Sequence, residues 1–141
     1  MHPDSTLLPI SIESFATLAG FIEDNPIALF TTVTSDGTLH SRPLVTREVD
    51  LAGNALWFFI ASNFPKVEEM LNGREVGLSY FSPNQKSYYS ISGRARVVHD
   101  KVKAEELWTP AAATRFPTSA DDPRLVLLRV DVEAVEYWDS P

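Results

Sequence analysis

The sequence predicts an α+β domain of six mostly antiparallel strands, with short helices at the periphery and a sheet that closes into a barrel. Three observations support this. Short β-rich segments separated by turn signals fill most of the chain. Residues 88–99 alternate cleanly: Tyr89, Ile91, Gly93, Ala95 and Val97 share one face, and Tyr88, Ser90, Ser92, Arg94 and Arg96 the other. Helical spacing is confined to three short stretches. Periodicity does not establish closure, and a two-sheet sandwich fits the same pattern.

The elements follow in order. Ile12, Phe15, Leu18, Ala19 and Ile22 predict an amphipathic helix over 11–24, with Ser11 as its cap. Asn25-Pro26 ends it, because the residue before proline is pushed away from helical angles. Residues 27–34 read as a buried strand. Asp36-Gly37 supplies the turn into a second strand, from Leu39 to about Glu48. The apolar run 56–60 is the third strand. Pro65 opens a short helix carrying Val67, Met70 and Leu71, which Asn72-Gly73 stops. Strands at 76–81 and 88–99 follow. Asp100 caps a helix through Trp108, residues 109–123 form a long loop, and the last strand runs from Leu125 to Trp138.

Composition narrows the function. The 141 residues are expected to form one domain, with no repeat or linker. A formal charge of −7 argues against a protein that coats nucleic acid or anionic membrane. There is no cysteine, hence no disulfide, thiolate nucleophile or sulfur-ligated metal, which suits the cytoplasm. The Met1-His2-Pro3-Asp4 start has no signal-peptide pattern, and no apolar run approaches the ~20 residues needed to span a bilayer. His2, His40 and His99 are scattered without metal-ligand spacing.

Two cations stand out. Arg42 sits within a strand beside Pro43, which cannot donate to a ladder. Lys66 falls in the first turn of the short helix, where the dipole disfavours positive charge. A phosphate held by both would account for that lysine. Equally, Lys66 could extend into water and Arg42 pair with a surface carboxylate. His40 shares a strand face with Arg42, about 7 Å away, and could line the same pocket. Tyr88 and Tyr89 face opposite ways, so only one is core. Trp138 is a large aromatic near the chain end that needs something to pack against, such as a second subunit.

Taken in order, several segments resemble the pyridoxamine 5′-phosphate oxidase-like split-barrel superfamily, and within it the general-stress-protein branch. They are His40-Ser41-Arg42-Pro43-Leu44, Leu56-Trp57-Phe58-Phe59 through Lys66-Val67, Tyr88 to Gly93, Asp121-Asp122-Pro123, Leu127-Leu128-Arg129-Val130 and Glu136-Tyr137-Trp138-Asp139. The resemblance implies a split barrel that forms a homodimer, with flavin mononucleotide (FMN) at the subunit interface and the dinucleotide (FAD) as the alternative. Arg42 and Lys66 match phosphate contacts. Pro43 and Leu44 match the backbone along the isoalloxazine ring, and Ile60 and Ala61 the strand end near it. Tyr88 falls at a flavin-contacting position, and Trp138 matches a tryptophan donated across the interface.

Two departures bear on function. Phe64 replaces a serine frequent before the Pro-Lys pair, so Ser62 or Asn63 would have to supply that phosphate hydrogen bond. The chain also ends at Asp139-Ser140-Pro141, without the basic, histidine-containing tail that grips the oxidase's substrate phosphate. True pyridoxamine phosphate oxidation is therefore not expected. The resemblance points to a flavin-dependent oxidoreductase or flavin reductase-like protein, reduced by a nicotinamide or another small electron donor. Here the ring does the chemistry and no side chain is singled out as catalytic. Residues 109–123, with Arg115 and Phe116, are a candidate lid. The alternatives are a flavin store or stress sensor without turnover, and a barrel dimer with no flavin.

Overall fold

The computed structural model describes residues 6–61, 71–110, 112 and 125–139. Strand β1 (Thr6–Leu8) leads into helix α1 (Ile12–Asp24), then β2 (Ile27–Val33), β3 (Leu39–Asp50), β4 (Ala55–Ala61), β5 (Glu75–Ser82) and β6 (Ser87–Val98). Helix α2 (Lys101–Leu107) and the 15-residue β7 (Leu125–Asp139) complete the described elements. The sheet order is β1-β7-β4-β3-β2-β5-β6, and β6 also pairs with β7. That last ladder closes six antiparallel strands into a barrel and removes the sandwich reading. The expected α+β barrel is therefore present, with β1 as an unforeseen seventh strand on the edge of β7, where Thr6 faces Tyr137. Three residues are too few to carry a readable period.

α1 starts where expected: the Ser14 N–H donates to Ser11 Oγ at 3.1 Å. Its buried residues are Phe15, Leu18, Phe21 and Ile22, which plug the barrel. Ile12, expected on that face, is 68% exposed, because it is the first residue of the helix and lies at one edge of the Phe15–Leu18–Ile22 stripe, whereas Phe21, at the opposite edge, is buried. Asp100 caps α2 by accepting from the Lys103 N–H at 3.0 Å. The expected short helix after Pro65 falls almost wholly outside the described residues, as does most of the 109–123 loop.

The strand faces explain the sequence pattern. On β6 the odd residues from Tyr89 to Ala95 point inward, and Tyr88 points out. β4 is buried on both faces, which is why it reads as one apolar run. Leu56, Phe58 and Ile60 enter the barrel core, while Trp57 and Phe59 meet Ala104, Leu107, Leu125 and Leu127 under α2. Two bulges bend the wall, one at Arg47 on β3 and one where Gly93 meets β7. A Cβ on Gly93 would collide with the Asp131 carbonyl oxygen, so the close approach of the two backbones there requires glycine.

Candidate functional site

A cleft opens where two neighbouring strands part. β3 and β4 are paired from Asp50↔Ala55 only as far as Thr46↔Phe58. Beyond that point β3 stays with β2 and β4 stays with β7. The facing edges of residues 42–45 and 59–61 thus have no ladder partner among the described residues. Their backbone N–H and C=O groups are available to a ligand, because such groups are costly to bury unpaired. Buried Thr46 holds the apex of the split through a 2.6 Å hydrogen bond with Tyr80 inside the barrel.

A cavity of about 280 Å³ fills this split, lined by Arg42, Pro43, Leu44, Val45, Arg47, Phe59, Ile60 and Ala61. Five of the residues singled out in the sequence, Arg42, Pro43, Leu44, Ile60 and Ala61, meet here although β3 and β4 contribute them separately. Arg42 is exposed and has no hydrogen-bond or ion-pair partner among the described residues. The surface-carboxylate pairing open to it from sequence is not made with any described carboxylate. His40 is exposed and absent from the described lining.

Sequence reasoning missed Arg47. On a regular strand its position looks like one more alternating charge, but the bulge between Thr46 and Glu48 re-aims it into the cleft. Its guanidinium carbon lies 5.8 Å from the centre of the Phe59 ring, in reach of a cation–π contact. The cleft therefore carries two arginines, one at the rim and one against an aromatic wall.

Tyr88 and Trp138 lie elsewhere. They are register partners on β6 and β7, and they line a second cavity of about 550 Å³ with Leu29, Phe81 and neighbouring residues. Phe81 stacks on Tyr88 at 4.6 Å between ring centres. From β3 this wall is three strands away through β2 and β5, roughly 14 Å at ~4.8 Å per strand. One chain thus separates the candidate site into an arginine-bearing cleft and an aromatic wall. Ser62, Asn63 and Lys66 lie outside the described residues.

The described outer face between these two features carries several exposed apolar residues, interrupted by the hydrogen-bonded Thr31–Ser41 pair. Ile27, Leu29, Val33, Leu39 and Phe81 are all exposed, Leu39 by 71%. They are joined by the ladders Ile27↔Val45, Leu29↔Pro43 and Val33↔Leu39, and Leu29↔Ser79 continues the face onto β5. None of the described helices is long and apolar enough to cross a membrane.

Known proteins extend this description. A family model described as pyridoxamine 5′-phosphate oxidase like matches residues 13–141. Among solved structures, a general stress FMN/FAD binding protein from Xanthomonas citri is 26% identical, with a TM-score of 0.76 over 92% of this chain and 90% of its own. A general stress family protein from Xanthomonas campestris pv. campestris is 27% identical, with a TM-score of 0.75 over 92% and 88%. A Clostridium acetobutylicum protein related to general stress protein 26 shares the fold at 18% identity, with a TM-score of 0.75 over 92% and 90%. No curated protein matches the chain. With all but its first twelve residues matched by the family model and the barrel closed as that family's split barrel requires, the chain belongs to the pyridoxamine 5′-phosphate oxidase-like family.

Proposed function

We propose that the chain binds FMN in the split between β3 and β4, as a homodimer in which each copy closes the other's cleft with its Tyr88–Trp138 wall. The observation that carries this reading is the split itself: two unpaired strand edges, an apolar lining, and an unpaired arginine at the rim. The residues fit the group. Arg42 would hold the phosphate, with Lys66 and either Ser62 or Asn63 as further contacts. Pro43, Leu44, Ile60 and Ala61 would flank the ring, their free backbone groups meeting its polar edge. At about 280 Å³ the cleft of one chain falls just below the ~300–1,000 Å³ of typical ligand sites, which favours completion by a second copy. The Xanthomonas citri relative, described as FMN/FAD binding, supports the cofactor.

When bound, the flavin supplies hydride or single-electron transfer at its ring. The ionisable groups in the described lining are the two arginines, which do not exchange protons near neutrality. The side chains would then bind, orient and set polarity. This fits a flavin-dependent oxidoreductase or flavin reductase-like protein of the cytoplasm, linked to stress, and equally a flavin store or sensor without turnover. Rapid, saturable reduction of the bound flavin by NADH or NADPH under anaerobic conditions favours the enzyme; its failure leaves the store or sensor.

Binding is tested first. The purified protein should be yellow and release FMN on heating. Arg42→Ala should weaken flavin affinity about 10- to 100-fold while the thermal melt stays put, since a charge-assisted hydrogen bond contributes ~1.5–3 kcal/mol. An unchanged affinity in that variant overturns the site.

A further inference from the structure

A third cavity, on the far side of β6 from the aromatic wall, lies between α1 and the barrel and has a volume of about 740 Å³. Four residues of α1 that line it, Glu13, Thr17, Gly20 and Asp24, fall at i, i+4, i+7 and i+11, a single stripe along one helix face. At 1.5 Å rise per residue the two carboxylates stand about 16 Å apart along the axis. Between them Gly20 leaves open space: beyond its chain neighbours and the adjacent helix backbone, nothing lies within 4 Å of where its Cβ would be. An aromatic wall joins helix and barrel: Tyr89 packs edge-on against Phe21 of α1 at 4.7 Å and tilted against Tyr137 at 5.0 Å between ring centres.

The electrostatics of this cavity are one-sided. Its charged lining groups are Glu13 and Asp24, neither of which has an ion-pair partner among the described residues. Asp24 is the last residue of α1, where the negative end of the dipole repels it, and no basic residue occupies that turn. Tyr89 is only 4% exposed as a residue, but its hydroxyl reaches solvent and has no hydrogen-bond partner among the described residues. Its ring lies on the inner face of β6, facing the cavity. Burial first, and the neighbouring Tyr137 second, raise the pKa of that phenol, so it stays neutral and can accept a hydrogen bond. Electron-rich ring faces, two terminal carboxylates and a free phenol oxygen are complementary to positive charge.

We propose that this cavity is a binding site for an elongated aliphatic polyamine: ammonium groups at Glu13 and Asp24, and the methylene chain over the Phe21–Tyr89–Tyr137 wall. The site is separate from the β3–β4 split and does not depend on the flavin reading. The test is calorimetric titration of spermidine into the protein as purified, at low salt, beside the uncharged control octane-1,8-diol. Spermidine should bind saturably, one per chain, and the diol should not. The double variant Glu13→Gln, Asp24→Asn should weaken spermidine on the order of tenfold, and Gly20→Phe should abolish binding by filling the cavity. Flavin content should be the same in all of them. Circular dichroism reports folding; if Gly20→Phe does not fold, the isosteric double variant decides. No saturable heat with spermidine overturns the proposal. So does an affinity that neither variant changes, which would mark diffuse attraction to an acidic protein.

Discussion

Two stretches of the same barrel wall both carry outward-facing apolar residues and meet opposite fates. Behind β4 and β7 the outward-facing Trp57, Phe59, Leu125 and Leu127 are buried by Ala104 and Leu107 of α2. Behind β2, β3 and β5 the outward-facing Ile27, Leu29, Val33, Leu39 and Phe81 have no such cover among the described residues and are 45–71% exposed. One face is completed by the chain's own helix. On the other, exposed apolar residues, interrupted by the hydrogen-bonded Thr31–Ser41 pair, are left as a surface suited to association. The arginine cleft opens at one border of that patch, through Pro43 and Val45, and the aromatic wall at the other, through Phe81 and Tyr88. In the proposed homodimer, two such faces would pair and so bring the halves of the candidate site together.

The largest expected effect is on the covered face. Leu127 is 1% exposed, and Leu127→Ala should cost about 2–5 kcal/mol in urea unfolding. A loss below ~1 kcal/mol would mean that α2 does not seal that face. The next is on the open face, where Leu29→Asp should spare the fold but weaken self-association by at least ~2 kcal/mol, roughly 30-fold. Sedimentation should then show a monomer that has also lost its flavin. A Leu29→Asp protein that remains dimeric places the interface elsewhere and ends the shared-site reading.

A smaller effect concerns the apex of the split. Tyr80→Phe removes the bond to Thr46 inside the barrel, which should cost ~0.5–1.5 kcal/mol and slightly lower flavin affinity. Burial keeps the Tyr80 phenol neutral far above its ordinary range, with the Thr46 hydrogen bond acting in the opposite sense. No alkaline transition from this group is expected near neutrality. If Tyr80→Phe lowers flavin affinity as much as Arg42→Ala does, the apex does more than brace the strands.

How far the sequence could be read follows from where its signals are local. The alternation on β6 shows that Tyr88 and Tyr89 face opposite ways, because burial on one face of a strand leaves a period of two, and the structure makes Tyr89 the core residue and Tyr88 the outward one. Arg42 beside Pro43 was legible as an oddity of position, Leu44, Ile60 and Ala61 only through the family resemblance, and the structure brings these five to one cleft. Arg47 was not legible, because a bulge is a property of two strands and leaves no mark on either alone. The division between the cleft and the Tyr88–Trp138 wall was hidden for the same reason: strand order, not spacing, sets it. The open face was hidden too, since Ile27 and Leu29 look like any half-buried strand until the helices are placed.

The smallest expected effect lies on the third face of the wall, outside the β6–β7 ladder that closes the barrel, and tests whether charge also holds it. Asp131 accepts from Arg96 Nε and from Arg129 Nε, each at 2.8 Å. Burial alone would raise its pKa, but the two arginines outweigh that and hold it below the usual carboxylate value. A carboxyl depressed in the folded state stabilises fully above its unfolded pKa of ~3.9, and that stabilisation disappears as pH falls through the folded value. Stability from this group should therefore be flat from pH 7 to about 5 and fall only below about 4. Screening at a partly exposed site limits the effect to about 0.5 kcal/mol. Nearby Glu133 has the opposite sign, raised first by sharing a hydrogen bond with Glu75. The readout is accordingly the difference between the wild-type protein and Asp131→Asn, measured by urea midpoints across that range. The two curves should converge as pH drops below 4; curves that stay parallel would mean the ladder is closed by backbone and packing alone.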